Sequence, residues 1–212
     1  MEVESSSSSS KKKNEHVQGS ASGENAAPYP KMDLAQSIHR ATLMVHSQLS
    51  PEAMRTLGLS EDLPQQVLNV VKEDLKNPSL LKHLMHSFNH KKNPKLVTMS
   101  EAELKTMQDE NEEELKTLEK AIETAKEESG DMEVLDATFN VAKFAAKSLS
   151  KDKALEMYDK VLAFPKLSSG KQMDALMECA RVASFYGDLV KYQEVLDKVR
   201  KRCTRDLKNG SM

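Results

Sequence analysis

A chain of 212 residues with a formal net charge of −2 and 30% charged residues suits one domain with a tail. It is too weakly charged for nucleic acid or an anionic membrane to be its general partner. Two cysteines, Cys179 and Cys203, exclude a disulfide framework and point to a reducing compartment.

No apolar run reaches the roughly 18 residues of a membrane-spanning helix. The polar N-terminus lacks the apolar centre of a signal peptide. A soluble, intracellular chain is expected. Residues 1–30 carry Ser5 to Ser10, then Lys11-Lys12-Lys13, then Gly, Asn, Ala and Pro. With so little apolar surface to offset ordering entropy, this segment reads as a disordered tail. The lysine triplet belongs to it as solvated charge.

Residues 31–97 read as a small helical region. Leu34, Ile38, Ala41 and Val45 share one helix face. Ser50-Pro51 is an N-cap followed by proline at the first helical position, and Gly58 stops that short helix. Asp62 to Lys76 predicts one helix with Leu63, Val67, Val70, Val71 and Leu75 inside. Asn77-Pro78 opens another, with Leu81, Leu84, Met85 and Phe88, and Lys91 to Val97 reads as a loop. Residues 98–130 hold a long acidic helix. Ser100 and Glu103 form a capping box, and Gly130 is the expected stop. Leu104, Met107, Asn111, Leu115, Leu118, Ile122 and Ala125 make its stripe. Eleven acids against four lysines fill the other faces between Glu101 and Glu128, which reads as a solvated surface, with a dock for a basic partner as the sharper alternative.

Residues 131–205 repeat with a shift of 38. Asp136-Ala137 returns as Asp174-Ala175, Ala142-Lys143 as Ala180-Arg181, and Ala145 as Ala183. Lys153, Glu156 and Asp159-Lys160-Val161 return as Lys191, Glu194 and Asp197-Lys198-Val199. Each copy is a helix, a break and a second helix, and its spaced alanines let helix axes approach. Two-helix repeats of this length are the mark of a tetratricopeptide-like solenoid. The expected fold is all-α: a right-handed α-solenoid of helix pairs behind the acidic helix and the small N-terminal region, with residues 206–212 as a tail.

The run from Glu112 to Gly130, followed by Glu133-Val-Leu-Asp-Ala137 and Leu149-Ser-Lys-Asp-Lys-Ala-Leu-Glu-Met-Tyr158, resembles the non-ATPase subunit 6 family of the proteasome regulatory lid. Met173-Asp174-Ala175-Leu176 and Phe185-Tyr186-Gly187-Asp188 resemble that family's next repeat. The likeness spans roughly residues 30 to 205 and is densest from 100 to 200. It implies a non-catalytic scaffold in ATP-dependent degradation of ubiquitinated proteins, with other lid and base subunits as partners and cytoplasm and nucleus as location. The family continues into further repeats and a PCI domain, whereas this chain stops at Met212, as a fragment, a short isoform or a truncated product would. Subunit 1 of the COP9 signalosome shares the layout and is the related alternative. A free adaptor gripping a peptide is the other, but the inner helices carry Ala, Met and Asp instead of an adaptor's regular Lys, Arg and Asn.

No residue pattern supports catalysis or a cofactor. His83, His86 and His90 lie at metal-ligand spacing without accompanying Cys or carboxylates, and read as a polar helix face, so no metal is expected. Cys179 reads as a small buried hydrophobe, and Cys203, beside Arg202 and Arg205, lacks a nearby His base. Met44, Met54, Met85, Met107 and Met157 fit core stripes. In the final helix, Leu189, Val190, Tyr192, Val195, Leu196 and Val199 form a band broader than a solenoid cap carries. Leu189, Tyr192, Val195, Leu196 and Val199 are the candidate interface, for self-association or for a partner.

Overall fold

The computed structural model describes residues 29–47, 49–88 and 99–209, with side chains as far as Arg205. Among them there is no strand. Most of the expected tail, residues 1–28, lies outside the described residues, as do His90, the loop Lys91 to Val97 and residues 210–212. The tail boundary at 30 needs correction. Pro30 is fully buried, and Tyr29 packs against the N-terminal core with the ammonium groups of Lys31 and Lys147 each 5.4 Å from its ring centroid.

The N-terminal unit contains α1 (Met32–His46), α2 (Pro51–Thr56), α3 (Leu63–Val70) and α4 (Pro78–Phe88). Ser50 Oγ accepts from the Ala53 amide and Pro51 occupies the first turn of α2. The single helix expected from Asp62 to Lys76 is interrupted. After Val70 the chain makes a π-helical turn, Val71–Leu75, which ends on Lys76 in the left-handed region at φ 49°. This widened turn keeps both Val71 and Leu75 inside. Leu34, Ala41, Val67, Leu68, Leu81, Leu84 and Phe88 complete that core.

The acidic helix α5 (Glu101–Glu128) opens on the expected capping box. The Glu103 amide donates to Ser100 Oγ at 3.2 Å, and the Ser100 amide donates to Glu103 Oε2 at 2.8 Å. Its 28 residues extend about 42 Å at 1.5 Å per residue. Gly130 does not act as a left-handed stop. At φ −99° and ψ 178° it is extended and serves as the N-cap of the next helix, its amide donating to Glu133 Oε2 at 3.1 Å.

The two repeats follow as α6 (Asp131–Ser148) with α7 (Lys151–Leu162), and α8 (Ser169–Phe185) with α9 (Leu189–Asn209). Asp131 to Ser169 and Lys151 to Leu189 are each 38 positions, so both helix starts recur at the sequence period. The N-caps recur as well. Ser150 Oγ accepts from the Lys153 amide, and Asp188 Oδ1, 38 residues later, accepts from the Lys191 amide. Gly187, at φ 67°, makes the left-handed turn between α8 and α9 that a side chain would strain. Each helix from α5 to α9 packs on the next, giving an all-α, solenoid-like stack. Ala142, Ala145, Ala175 and Ala183 are fully buried, and their small methyl groups suit closely packed helices. Of the five methionines expected in the core, Met157 is buried and the others are half-buried.

Candidate functional site

Two features of this stack position its free surface. The first is a polar joint between the N-terminal unit and the repeats. A helix leaves its last carbonyls without intrahelical partners, and here two helix ends supply partners for each other. Ser148, at the end of α6, donates from Oγ to the Leu75 carbonyl at 2.7 Å. The Asn77 amide donates to the Leu149 carbonyl at 2.6 Å and to that of Lys147 at 3.4 Å, while its Oδ1 accepts from the Leu80 amide and caps α4. Asn111 of α5 donates to the Lys76 carbonyl at 2.8 Å and to the Ser148 carbonyl at 3.3 Å. Tyr186 lies against both cores. Burial raises the Tyr186 phenol pKa, with the nearby Asn77 side chain working against it.

The second feature is the terminal helix pair. Lys151, at the start of α7, donates to Asp188 Oδ2 at 2.8 Å. That hydrogen bond, with the Lys191 amide and the lysine charges, holds the Asp188 carboxyl below its ordinary value and raises Lys151. In α8, burial raises the Glu178 carboxyl against the pull of Arg181 at 3.4 Å, and pushes the Cys179 thiol up to about 12. Cys179 is therefore an inert core residue, as expected from its neighbours.

The structure divides the candidate interface residues of α9. Val195 is 1% exposed and belongs to the repeat core. It is not available to a partner, which corrects its inclusion. Tyr192 and Val199 are half-buried with one side against the core. Leu196 is half-buried, and Leu189 is 73% exposed beside Val190 at 83%. At about 100° per residue, Leu189, Tyr192, Leu196, Val199 and Cys203 recur every three or four residues along one flank. Tyr192, Leu196 and Val199 stand 38 positions after Ala154, Tyr158 and Val161, all of which are 0% exposed. The difference is what lies beyond them. Helix α8 packs on α7 and sets Glu178, Cys179 and Arg181 around Tyr158. No described helix takes that place on α9.

His83 and His86 are exposed on α4, and no cluster of His, Cys, Asp or Glu could hold an ion among the described residues. No described helix is long and apolar enough to cross a membrane. A cavity of about 720 Å³ lies between α4, α5 and the α6–α7 turn, with Leu104, Leu115 and Leu149 in its lining.

The family model described as 26S proteasome subunit RPN7 matches residues 100–208, which run from the N-cap of α5 into the last turn of α9. The chain is 31% identical over 106 residues to the 26S proteasome non-ATPase regulatory subunit 6 homolog of Arabidopsis thaliana, covering 50% of this chain and 27% of that protein. It is 30% identical over 97 residues to the 26S proteasome regulatory subunit rpn7 of Schizosaccharomyces pombe, covering 46% of this chain and 24% of that one. The matched segment thus spans about a quarter of these relatives. The N-terminal unit α1–α4 lies outside the matched family segment.

Proposed function

The chain belongs to the 26S proteasome subunit RPN7 family, and from that premise we propose that it is a non-catalytic scaffold of the proteasome regulatory lid. It contributes to degradation of ubiquitinated proteins through protein contacts, in cytoplasm and nucleus. Its docking surface is the flank of α9 formed by Leu189, Tyr192, Leu196 and Val199, and its partners are lid and base subunits. The observation that carries the reading is the internal comparison of α7 with α9. Positions fully buried in the first pair, on which α8 packs, are left half-exposed in the second, and a solenoid pair completes its core only against a neighbour. The occupant this surface fits is a helix of a neighbouring subunit, packed on α9 as α8 packs on α7. The polar joint supports the same role, because it fixes the N-terminal unit against the repeats as a scaffold requires.

Affinity capture of the tagged full chain from cells, with mass spectrometry of the co-purifying proteins, tests this. Lid subunits in near-stoichiometric amounts, reduced by Leu196→Lys, are the expected result. Recovery of signalosome subunits instead would transfer the scaffold role to that complex. Recovery of neither would overturn the proposal.

A further inference from the structure

Helix α9 has a second flank, opposite in character to the apolar one. Lys198, Lys201, Arg202 and Arg205 line a cavity of about 340 Å³ closed by Asp159 and Leu162 of α7 and by Gln172 and Leu176 of α8. Asp159 is the one carboxylate in that lining. Lys198 is held by Glu194 at 2.9 Å, and Arg202 donates to Ser169 Oγ. Lys201 and Arg205 are exposed and form no ion pair with a described residue.

A complementary surface lies on α5. The apolar stripe and Asn111 turn one face of α5 inward. At about 100° per residue, the flank on the side of Glu101, Lys105, Glu112 and Lys116 mixes both signs and faces the large cleft. The opposite flank holds Glu103, Glu110, Glu113, Glu114 and Glu128 without a lysine. Glu110, Glu113 and Glu114 are exposed and cluster within about 6 Å of helix rise. That patch is matched in length by Lys201 and Arg205, likewise about 6 Å apart along α9.

We infer that copies of this chain associate head to tail, the Glu110, Glu113 and Glu114 flank of α5 in one copy docking on the cationic cavity at Lys201 and Arg205 in the next. The two surfaces are different, one on α5 and the other across α7, α8 and α9, so each copy offers one of each to its neighbours. A head-to-tail contact repeats from copy to copy as a ring or an open chain. The inference does not depend on the apolar flank of α9, and salt separates the two. Exposed charges are screened beyond a Debye length of about 10 Å at 0.1 M salt, whereas apolar burial is not weakened that way.

Sedimentation equilibrium of the full chain at 50 and 500 mM NaCl tests the inference. Association at low salt, weakened about tenfold or more at high salt, is expected. Two variants then assign the surfaces: the triple variant Glu110→Lys, Glu113→Lys, Glu114→Lys, and the double variant Lys201→Glu, Arg205→Glu. Each should lose self-association alone. Mixed in equal amounts they should form complexes, because the first retains its cationic cavity and the second its acidic flank. All the substituted positions are exposed, and unchanged helical circular dichroism establishes that the variants fold. A monomer at 50 mM NaCl and 200 µM protein would overturn the inference, as would charge variants that associate like the parent or a mixture that does not complement. Association indifferent to salt but lost in Leu196→Lys would also overturn it, and would leave the docking role of the apolar flank standing.

Discussion

Asn77 serves two helices at once, and that makes it the most discriminating position for substitution. Its Oδ1 caps α4 by accepting from the Leu80 amide at 2.9 Å, and its amide donates to the carbonyls of Leu149 and Lys147 at the end of α6. Asn77→Ala removes a cap worth about 1 kcal/mol and strands two part-buried carbonyls at a further cost of about 1–3 kcal/mol. The expected loss is about 2–4 kcal/mol, read as a lower urea midpoint at constant slope by circular dichroism. Asn77→Asp separates the two roles. Aspartate caps as well as asparagine, but it has no donor and sets a carboxylate against the negative end of the α6 dipole. Its loss should equal or exceed that of the alanine variant. An aspartate variant as stable as the parent would refute the joint and reduce Asn77 to a local cap.

Other substitutions test the packing. Ala142→Leu and Ala180→Leu, at positions 0% and 4% exposed, should each destabilise by about 1–3 kcal/mol through overpacking, as calorimetric melting would register. Val195→Lys should unfold the second pair by burying an unpaired charge, whereas Leu196→Lys should leave the unfolding free energy from urea titration within about 0.5 kcal/mol of the parent. Titration with a thiol reagent at pH 8 should modify exposed Cys203 at once and buried Cys179 only with unfolding. The depressed Asp188 carboxyl means that the unfolded chain takes up the proton first, so its contribution is present above the ordinary value of 3.8 and fades as pH falls below it. Asp188→Asn keeps an N-cap oxygen and should flatten the stability loss as pH falls below about 4.

The elements visible in the sequence were those with local causes. Ser100 and Glu103, or Ser50 and Pro51, act within one helical turn, so their residue types suffice to place a helix start. The 38-residue period placed both helix pairs because each equivalent position answers to the same packing. The polar joint was not legible, since Ser148 meets Leu75 and Asn111 meets Lys76 across the fold. One signal was available: Asn111 is the polar member of an otherwise apolar stripe, and a buried amide demands partners. The π turn escaped because Val70, Val71 and Leu75 suit an α-helix equally well. Val195 was misassigned because α9 is apolar on two adjoining sides. Composition cannot say which side meets the chain's own core and which is left for another molecule.

The scaffold account stands most directly on the flank of α9, and Cys203, exposed on that flank while Cys179 is buried, offers a handle on it. A photocrosslinker attached to Cys203 of the full chain, activated in the presence of purified proteasome lid, should join the chain to a lid subunit, and Leu196→Lys should abolish that product. Crosslinks absent in the parent, or unchanged in the Leu196→Lys variant, would contradict docking through this flank.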